Sequence, residues 1–272
     1  MEPREMYRAC VDATRDYVCN AGFEDVVIGL SGGIDSSVVA VMAADAFGAD
    51  HVFGVLMPGP YSTGHSVDDA QQLADNLGIK TRTVSICEPF EAFERVLADA
   101  CRGGLSGLAA ENTQARCRMV CLMAISNAHE WMMLNTGNKS EAMMGYSTLY
   151  GDTAGAFAPI GGLYKTDVYA VARWRNAEAQ ARGEVPPIPE HVLVKPPSAE
   201  LAPDQRDEAS LGVTYAALDP ILIAAFEKGA DMDAIAAEGH DRAQAESVIR
   251  RAKGYAFKRA MEPPFPQTRF YE

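Results

Sequence analysis

Ser31, Gly32, Gly33, Asp35, Ser36 and Ser37 share one short string, SGGIDSS, set between an apolar run and a helical pattern. Glycines let a backbone approach an oxyanion closely, and hydroxyls add donors to the N–H groups of the turn. At the head of a helix such a turn favours an anion, because the first N–H groups are unpaired and the dipole is positive there. Asp35 is out of place in this setting, since its carboxylate repels phosphate unless a cation stands between them. The string therefore points to a polyphosphate carried with magnesium. A bare SGG can also be a plain tight turn, but the strand before it and the helix after it make the whole string far more specific. It lacks the G-x-x-x-x-G-K-[ST] spacing of a Walker A loop and the G-x-G-x-x-G of dinucleotide folds.

The surrounding elements must hold that turn. Residues 26–30 are a β-branched run suited to a strand covered on both faces. Val38, Val39, Val41, Met42, Ala46 and Phe47 recur at helical spacing, and Gly48 ends the helix. Upstream, residues 1–25 read as an amphipathic helix leading into the strand. Further strands are expected at 51–57, 79–86 and 131–136, with helices at 66–77, 90–101 and 112–129 between them. This alternation predicts an α/β fold, a doubly wound parallel sheet with flanking helices. Ligands in such sheets sit beyond the carboxyl ends of the strands, here residues 31–37, Met57 and 136–141. Residues 145–162 and 185–203 read as long loops, and helices near 218–227 and 241–257 close a single expected domain spanning 1–272.

Composition narrows the function. The 272 residues carry a formal net charge of −13, which disfavours nucleic acid as a bulk partner. Phosphate binding must then be local, through backbone amides, metal and a few cations. No run is long enough for a membrane span, and MEPREMYRAC is unlike a signal peptide, so a cytoplasmic location is the expectation. The six cysteines have neither disulfide nor zinc spacing.

Beyond SGGIDSS, the strings ENTQARCRM, NTGNKSE, GYSTLYGDTAGAFAPI, YKTDVYAVARWRN and KPPSAEL followed by PDQRDE appear in order. Together they resemble NAD+ synthetase, of the N-type ATP pyrophosphatases with their adenine nucleotide alpha-hydrolase-like fold. They are most similar to the synthetase portion of the glutamine-dependent type, over residues 26–259. The resemblance implies that ATP adenylates the nicotinate carboxylate of deamido-NAD, releasing pyrophosphate, and that ammonia then displaces AMP to give NAD+. It implies that Gly29, Leu30, Ser31, Gly32, Gly33, Ile34, Asp35 and Ser36 hold ATP, with Thr136, Ser198, the backbone at Met57 and the loop lysine Lys165. Asp35 and Glu141 match magnesium ligands, and two carboxylates from adjacent strand ends suit that ion. Asn112, Arg116, Glu141, Asp152 and Lys258 match deamido-NAD contacts. Arg116 and Arg118 lie on different helix faces, so one of them is expected to reach substrate and the other to be structural. Asp152 either takes a proton at the amidation step or caps its loop. The resemblance also implies a homodimer through the helix carrying Met119, Val120, Leu122, Met123 and Ile125, for which a central core helix is the alternative.

Two departures stand out. Where the ammonia-dependent enzymes carry a lysine before Tyr-Gly-Asp, this chain has Leu149, and where they carry an aspartate after it, this chain has Ala156. Both agree with the glutamine-dependent type, whose nitrilase-like glutaminase domain is not expected among residues 1–25. Free ammonia is thus the expected nitrogen source, with a separate glutaminase subunit as its supplier in the cell. Rival expectations are a GMP-synthetase-like amidase, a tRNA thiolase and a nucleotide sensor without chemistry. Asp35, Glu141 and Lys165 together argue against the last of these.

Overall fold

The computed structural model describes residues 1–101 and 103–272. Four parallel strands form one sheet: β1 (Val26–Gly29), β2 (Val52–Leu56), β3 (Lys80–Thr83) and β4 (Met132–Met133), in the order β3-β2-β1-β4. The chain walks outward from β1 to β3 and then returns to lie on the other side of β1. The topological switch therefore falls between β1 and β4, where an open parallel sheet leaves its crevice.

Strand alternation sorts the core. Val26 and Ile28 pack toward α1 (Pro3–Asn20), α2 (Ile34–Phe47), α3 (Gly64–Leu77) and α7 (Lys165–Ala181). Val27, pointing the other way, packs with Val55 and Met133 against Leu122 of α5 (Gly107–His129). Burial of both faces explains the unbroken β-branched run. The doubly wound expectation holds. The order of elements also includes α4 (Cys87–Leu97), α6 (Lys139–Met144), α8 (Glu190–Val194) and α9 (Asp207–Leu211). Then come α10 (Tyr215–Leu222) with a π-helical turn Ile223–Glu227, α11 (Met232–Ala237), α12 (Arg242–Gly254) and α13 (Ala256–Arg259). α10 and α12 build a second core around Leu218, Ile221, Leu222 and Val248.

Several boundaries differ from expectation. β3 is shorter than 79–86 and largely exposed, as an edge strand can be. β4 keeps two residues of 131–136, because Leu134 only bridges to Phe157 and Asn135 turns its side chain to the following loop. α7 falls where no helix was expected, although Val168, Val171, Ala172 and Ala179 have helical spacing and are buried. The proline-rich segment contains the short α8.

Gly32 shows how tightly the first turn is fixed. Its φ is +74°, and a Cβ built there would lie 2.1 Å from the carbonyl oxygen of Ser66 in α3. Neither the backbone strain nor the clash can be relieved by a side-chain rotation. Gly32→Ala is expected to destabilise the fold by about 2–4 kcal/mol, read as a lowered urea midpoint with an unchanged slope.

Candidate active site

The switch point brings three distant segments together around one ammonium. Lys165 is the first residue of α7, and its side chain is 1% exposed. Its Nζ donates to Oδ2 of Asp35 at 2.5 Å and to Oε1 of Glu141 at 3.0 Å. Asp35 stands in the first turn of α2, after β1, and Glu141 stands in α6, after β4. The expected loop lysine is therefore a buried one at a helix start, and Glu141 is helical rather than part of an open turn.

Asn138 fixes both acids. Its Oδ1 accepts from the backbone N–H of Glu141 at 3.0 Å, capping α6, while its Nδ2 donates to Oδ1 of Asp35 at 2.9 Å. One buried amide thus ties the Asp35 carboxylate to the backbone that carries Glu141 on a different crossover. The start of α7 is held from the second core. Asp219 of α10 accepts from Ser140 Oγ at 2.6 Å and from the N–H of Thr166 at 2.8 Å. Ser140 Oγ in turn accepts from the N–H of Lys165 at 2.8 Å. The Tyr271 hydroxyl accepts from the N–H of Tyr164 at 3.0 Å and donates to Asp167 at 2.8 Å.

The serines of SGGIDSS divide their work. Ser37, fully buried, donates to the Gly33 carbonyl at 2.8 Å, and Ser36 donates to the same carbonyl at 3.2 Å. Both hydroxyls brace the turn; Ser37 lies off the cleft wall, so it is not placed as the expected phosphate donor, whereas Ser36 also lines the cleft. Ser31 is exposed, and the first turn of α2 leaves its N–H groups without helical acceptors.

A cleft of about 210 Å3 opens onto this centre, walled by Ser31, Gly33, Ile34, Asp35, Ser36, Thr136, Glu141, Asp152, Lys165 and Ser198. A second hollow of about 230 Å3 continues from it past Thr136 and Asp152 to Gly29, Leu30, Met57 and Arg118. Arg118 donates to the Met57 carbonyl at 3.0 Å, so it is the arginine of the pair that faces a hollow. Gly32 lines neither hollow. Asn112, Arg116 and Lys258 also stand outside both walls. Asn112 accepts from Thr148 Oγ1 at 2.8 Å, and Arg116 donates to the Leu149 carbonyl at 3.2 Å. Lys258 donates to the carbonyls of Gly145 and Ser147 at 2.8 and 2.5 Å. Here the three expected substrate contacts support the 145–149 segment, Arg116 and Lys258 by satisfying its backbone carbonyls and Asn112 by holding the Thr148 hydroxyl.

Electrostatics single out four acids. Burial, with repulsion from Asp35 and Asp207, works to raise the Glu141 carboxyl, and the adjacent Lys165 ammonium opposes that rise and favours the ionised form. Burial alone would lower Lys165, but Asp35 and Glu141 outweigh it and hold the ammonium well above its ordinary value. Asp152 is ringed by protein, which pushes it up to about 6, yet it is open to solvent through the cleft and takes the Thr148 N–H at 2.6 Å. Glu262 is pushed up to about 7 by burial and by Asp152. Asp207, buried on the cleft wall, is a third carboxylate near Lys165. The sequence pointed to neither Glu262 nor Asp207, nor to Asn138 and Asp219.

The donor set suits magnesium. Asp35 and Glu141 offer hard oxygens, and between them sits a cation, the Lys165 ammonium, as a stand-in. Among the described residues no group of three or more His, Cys, Asp or Glu side chains forms a closed metal cage. Two carboxylates beside an open cleft match an ion that retains water and phosphate oxygens.

Comparison with known proteins assigns the chain to a family. A family model described as NAD synthase matches residues 6–262. The chain belongs to the NAD synthase family. It is 48% identical to the glutamine-dependent NAD(+) synthetase of Thermotoga maritima over 94% of its own length and 43% of that protein's. It thus spans about half the length of the curated relatives it matches. An NMN synthetase of Francisella tularensis superposes with a TM-score of 0.77 at 30% identity, covering 95% of this chain and 96% of that one. An NH3-dependent NAD synthetase of Campylobacter jejuni gives 0.73 at 29% identity, with the same coverages of 95% and 96%. Among the described residues of this NAD synthase family member, no helix is long and apolar enough to cross a membrane.

The acid at Glu262 gives a measurable pH dependence. In the folded chain its carboxyl keeps its proton where the unfolded chain has already released it. Its contribution to stability is therefore lost as pH rises from the ordinary glutamate range to about 7. Thermal melting from about pH 5 to about pH 8 should fall less steeply for Glu262→Gln than for the parent chain. Parallel curves would refute the assignment.

Proposed function

We propose that this chain makes the amide of a nicotinate dinucleotide from ATP and ammonia. The observation that carries this reading is the Asp35–Lys165–Glu141 centre at the switch point, with Asp152 facing it across a cleft. The polyphosphate lies along residues 31–36, where the N–H groups of α2 meet its oxygens. Asp35 and Glu141 would hold magnesium, which offsets the charge of the leaving pyrophosphate. A carboxylate oxygen of deamido-NAD bonds to the α-phosphorus, and the bond from that phosphorus to the pyrophosphate oxygen breaks. Lys165 supplies positive charge at the leaving group. Met57 and Thr136 line the hollow suited to adenosine.

Ammonia nitrogen then bonds to the acyl carbon and AMP departs with the bonding pair of its oxygen. One proton must leave nitrogen, and Asp152 is placed to take it: a carboxyl raised to about 6 is mostly ionised near neutral pH yet still basic enough to accept. Asn112, Arg116 and Lys258 position the Asp152 segment from behind. Ammonia is favoured over glutamine because no cysteine lines either hollow among the described residues. Burial also pushes Cys10 up to about 12 and raises Cys117, the opposite of an activated thiol. Two copies pairing through α5 would complete the assembly, since Leu108 and Val120 are 70% and 58% exposed beside Phe93 and Val96 of α4 at 47% and 78%.

Deamido-NAD with MgATP and ammonium should yield NAD+ and pyrophosphate, with glutamine an ineffective nitrogen source. At fixed total ammonium the rate should climb with pH as NH3 is released. Nicotinate mononucleotide consumed in preference to deamido-NAD would reassign the substrate. Asp35→Asn should lower turnover by roughly 100-fold or more while changing ATP affinity far less. Light scattering should report a dimer, and a fully active monomer would remove the pairing.

A further inference from the structure

The Lys165 ammonium occupies the very place between two carboxylates that a divalent cation would seek. We propose that Lys165 is a resident gate on the metal seat: it keeps Asp35 and Glu141 closed to a free ion, and yields only when nucleotide phosphates offer it another anion. This rests on the reading of those two acids as metal ligands.

Three features make the exchange feasible. First, the Asp35 carboxylate and the Glu141 backbone do not depend on Lys165 for their placement. Asp35 keeps its bond from Asn138 Nδ2 at 2.9 Å, and the Glu141 backbone stays capped by Asn138 Oδ1 at 3.0 Å. The seat therefore persists when the ammonium leaves. Second, the exchange requires no backbone movement. The Lys165 N–H is pinned by Ser140 and the Thr166 N–H by Asp219, so the Cα stays in place while the flexible stem swings. The same residue lines the cleft, which gives its head a path toward residues 31–36. Third, the charge count favours a held cation. Asp35, Glu141 and the nearby buried Asp207 face one ammonium, which also rests 5.3 Å from the Tyr215 ring centre. Without the ammonium, a strongly anionic hole would capture any divalent ion.

The gate imposes an order of events. Free metal finds the seat blocked, whereas metal arriving with a polyphosphate brings the anion that draws Lys165 away. An ion bound alone, with its coordination satisfied by water, would have to shed that water before phosphate could enter.

The test uses Mn2+ alone as probe, with free Mn2+ counted by its paramagnetic resonance signal. The parent chain, Lys165→Met and Lys165→Arg are each titrated, with and without a non-hydrolysable ATP analogue. Lys165→Met should bind Mn2+ without nucleotide at least roughly ten-fold more tightly than the parent. Lys165→Arg, which keeps the charge, should bind as weakly as the parent. Equal Mn2+ affinity of the parent and Lys165→Met overturns the gate while leaving the metal seat intact. Failure of all three proteins to hold Mn2+ even beside the analogue overturns the seat, and the gate with it. If circular dichroism shows Lys165→Met unfolded, the parent decides the matter. Tight binding of Mn2+ alone, unchanged by the analogue, refutes the proposal, and weak binding without it supports the proposal.

Discussion

A lysine ammonium buried between two carboxylates is the interaction around which this molecule is arranged. An unpaired buried ammonium or carboxylate is strongly destabilising, so the Lys165 ammonium requires Asp35 and Glu141, and those two acids require a cation between them. Its members come from the β1–α2 turn, the start of α6 after β4 and the start of α7. Satisfying them fixes three crossovers relative to one another. The sheet order places the first two next to each other, and α7 delivers the third from the same face as α1 and α2.

The surrounding contacts divide into those that shape the centre and those that leave room beside it. Asn138, Ser140 and Asp219 are buried and spend all their visible hydrogen bonds on neighbouring backbone and side chains. Ser31, Asp152 and Ser198 instead face the cleft. The rigid set lies beneath and the available set above, which suits a site that must stay organised while its contents change charge.

The parts legible in the sequence were those encoded locally. SGGIDSS reads as an anion turn because its strand, glycines and helix lie within a single stretch, and the alternation of β1 follows from Val26, Val27 and Ile28 being buried on both faces. Lys165 was recognised through resemblance, but its burial depends on Asp35 and Glu141, and its backbone on Ser140 and Asp219, none of which is local to it. Asn138 was invisible for the same reason: nothing in NTGNKSE shows that its amide reaches back to α2. β4 looked longer because Leu134 and Thr136 carry strand-like character, whereas the Asn135 side chain takes the Gly137 N–H and closes the turn. Apolar periodicity would have revealed α7. The support role of Asn112, Arg116 and Lys258 needed the position of their partners, the Thr148 hydroxyl for the first and backbone carbonyls for the other two.

The bonds at the start of α7 also set a schedule for synthesis on the ribosome. Strands β1 to β4 can begin to pair once residue 133 has emerged, and the Lys165 N–H finds Ser140 already made, but Ser140 Oγ and the Thr166 N–H wait for Asp219, and the Tyr164 N–H waits for Tyr271. Until then the nascent sheet carries Asp35 and Glu141 with the anchoring of their shared cation incomplete. The anchoring of the ionic centre depends on residues translated well after its own members, so its consolidation is a late step of folding rather than a nucleus for it.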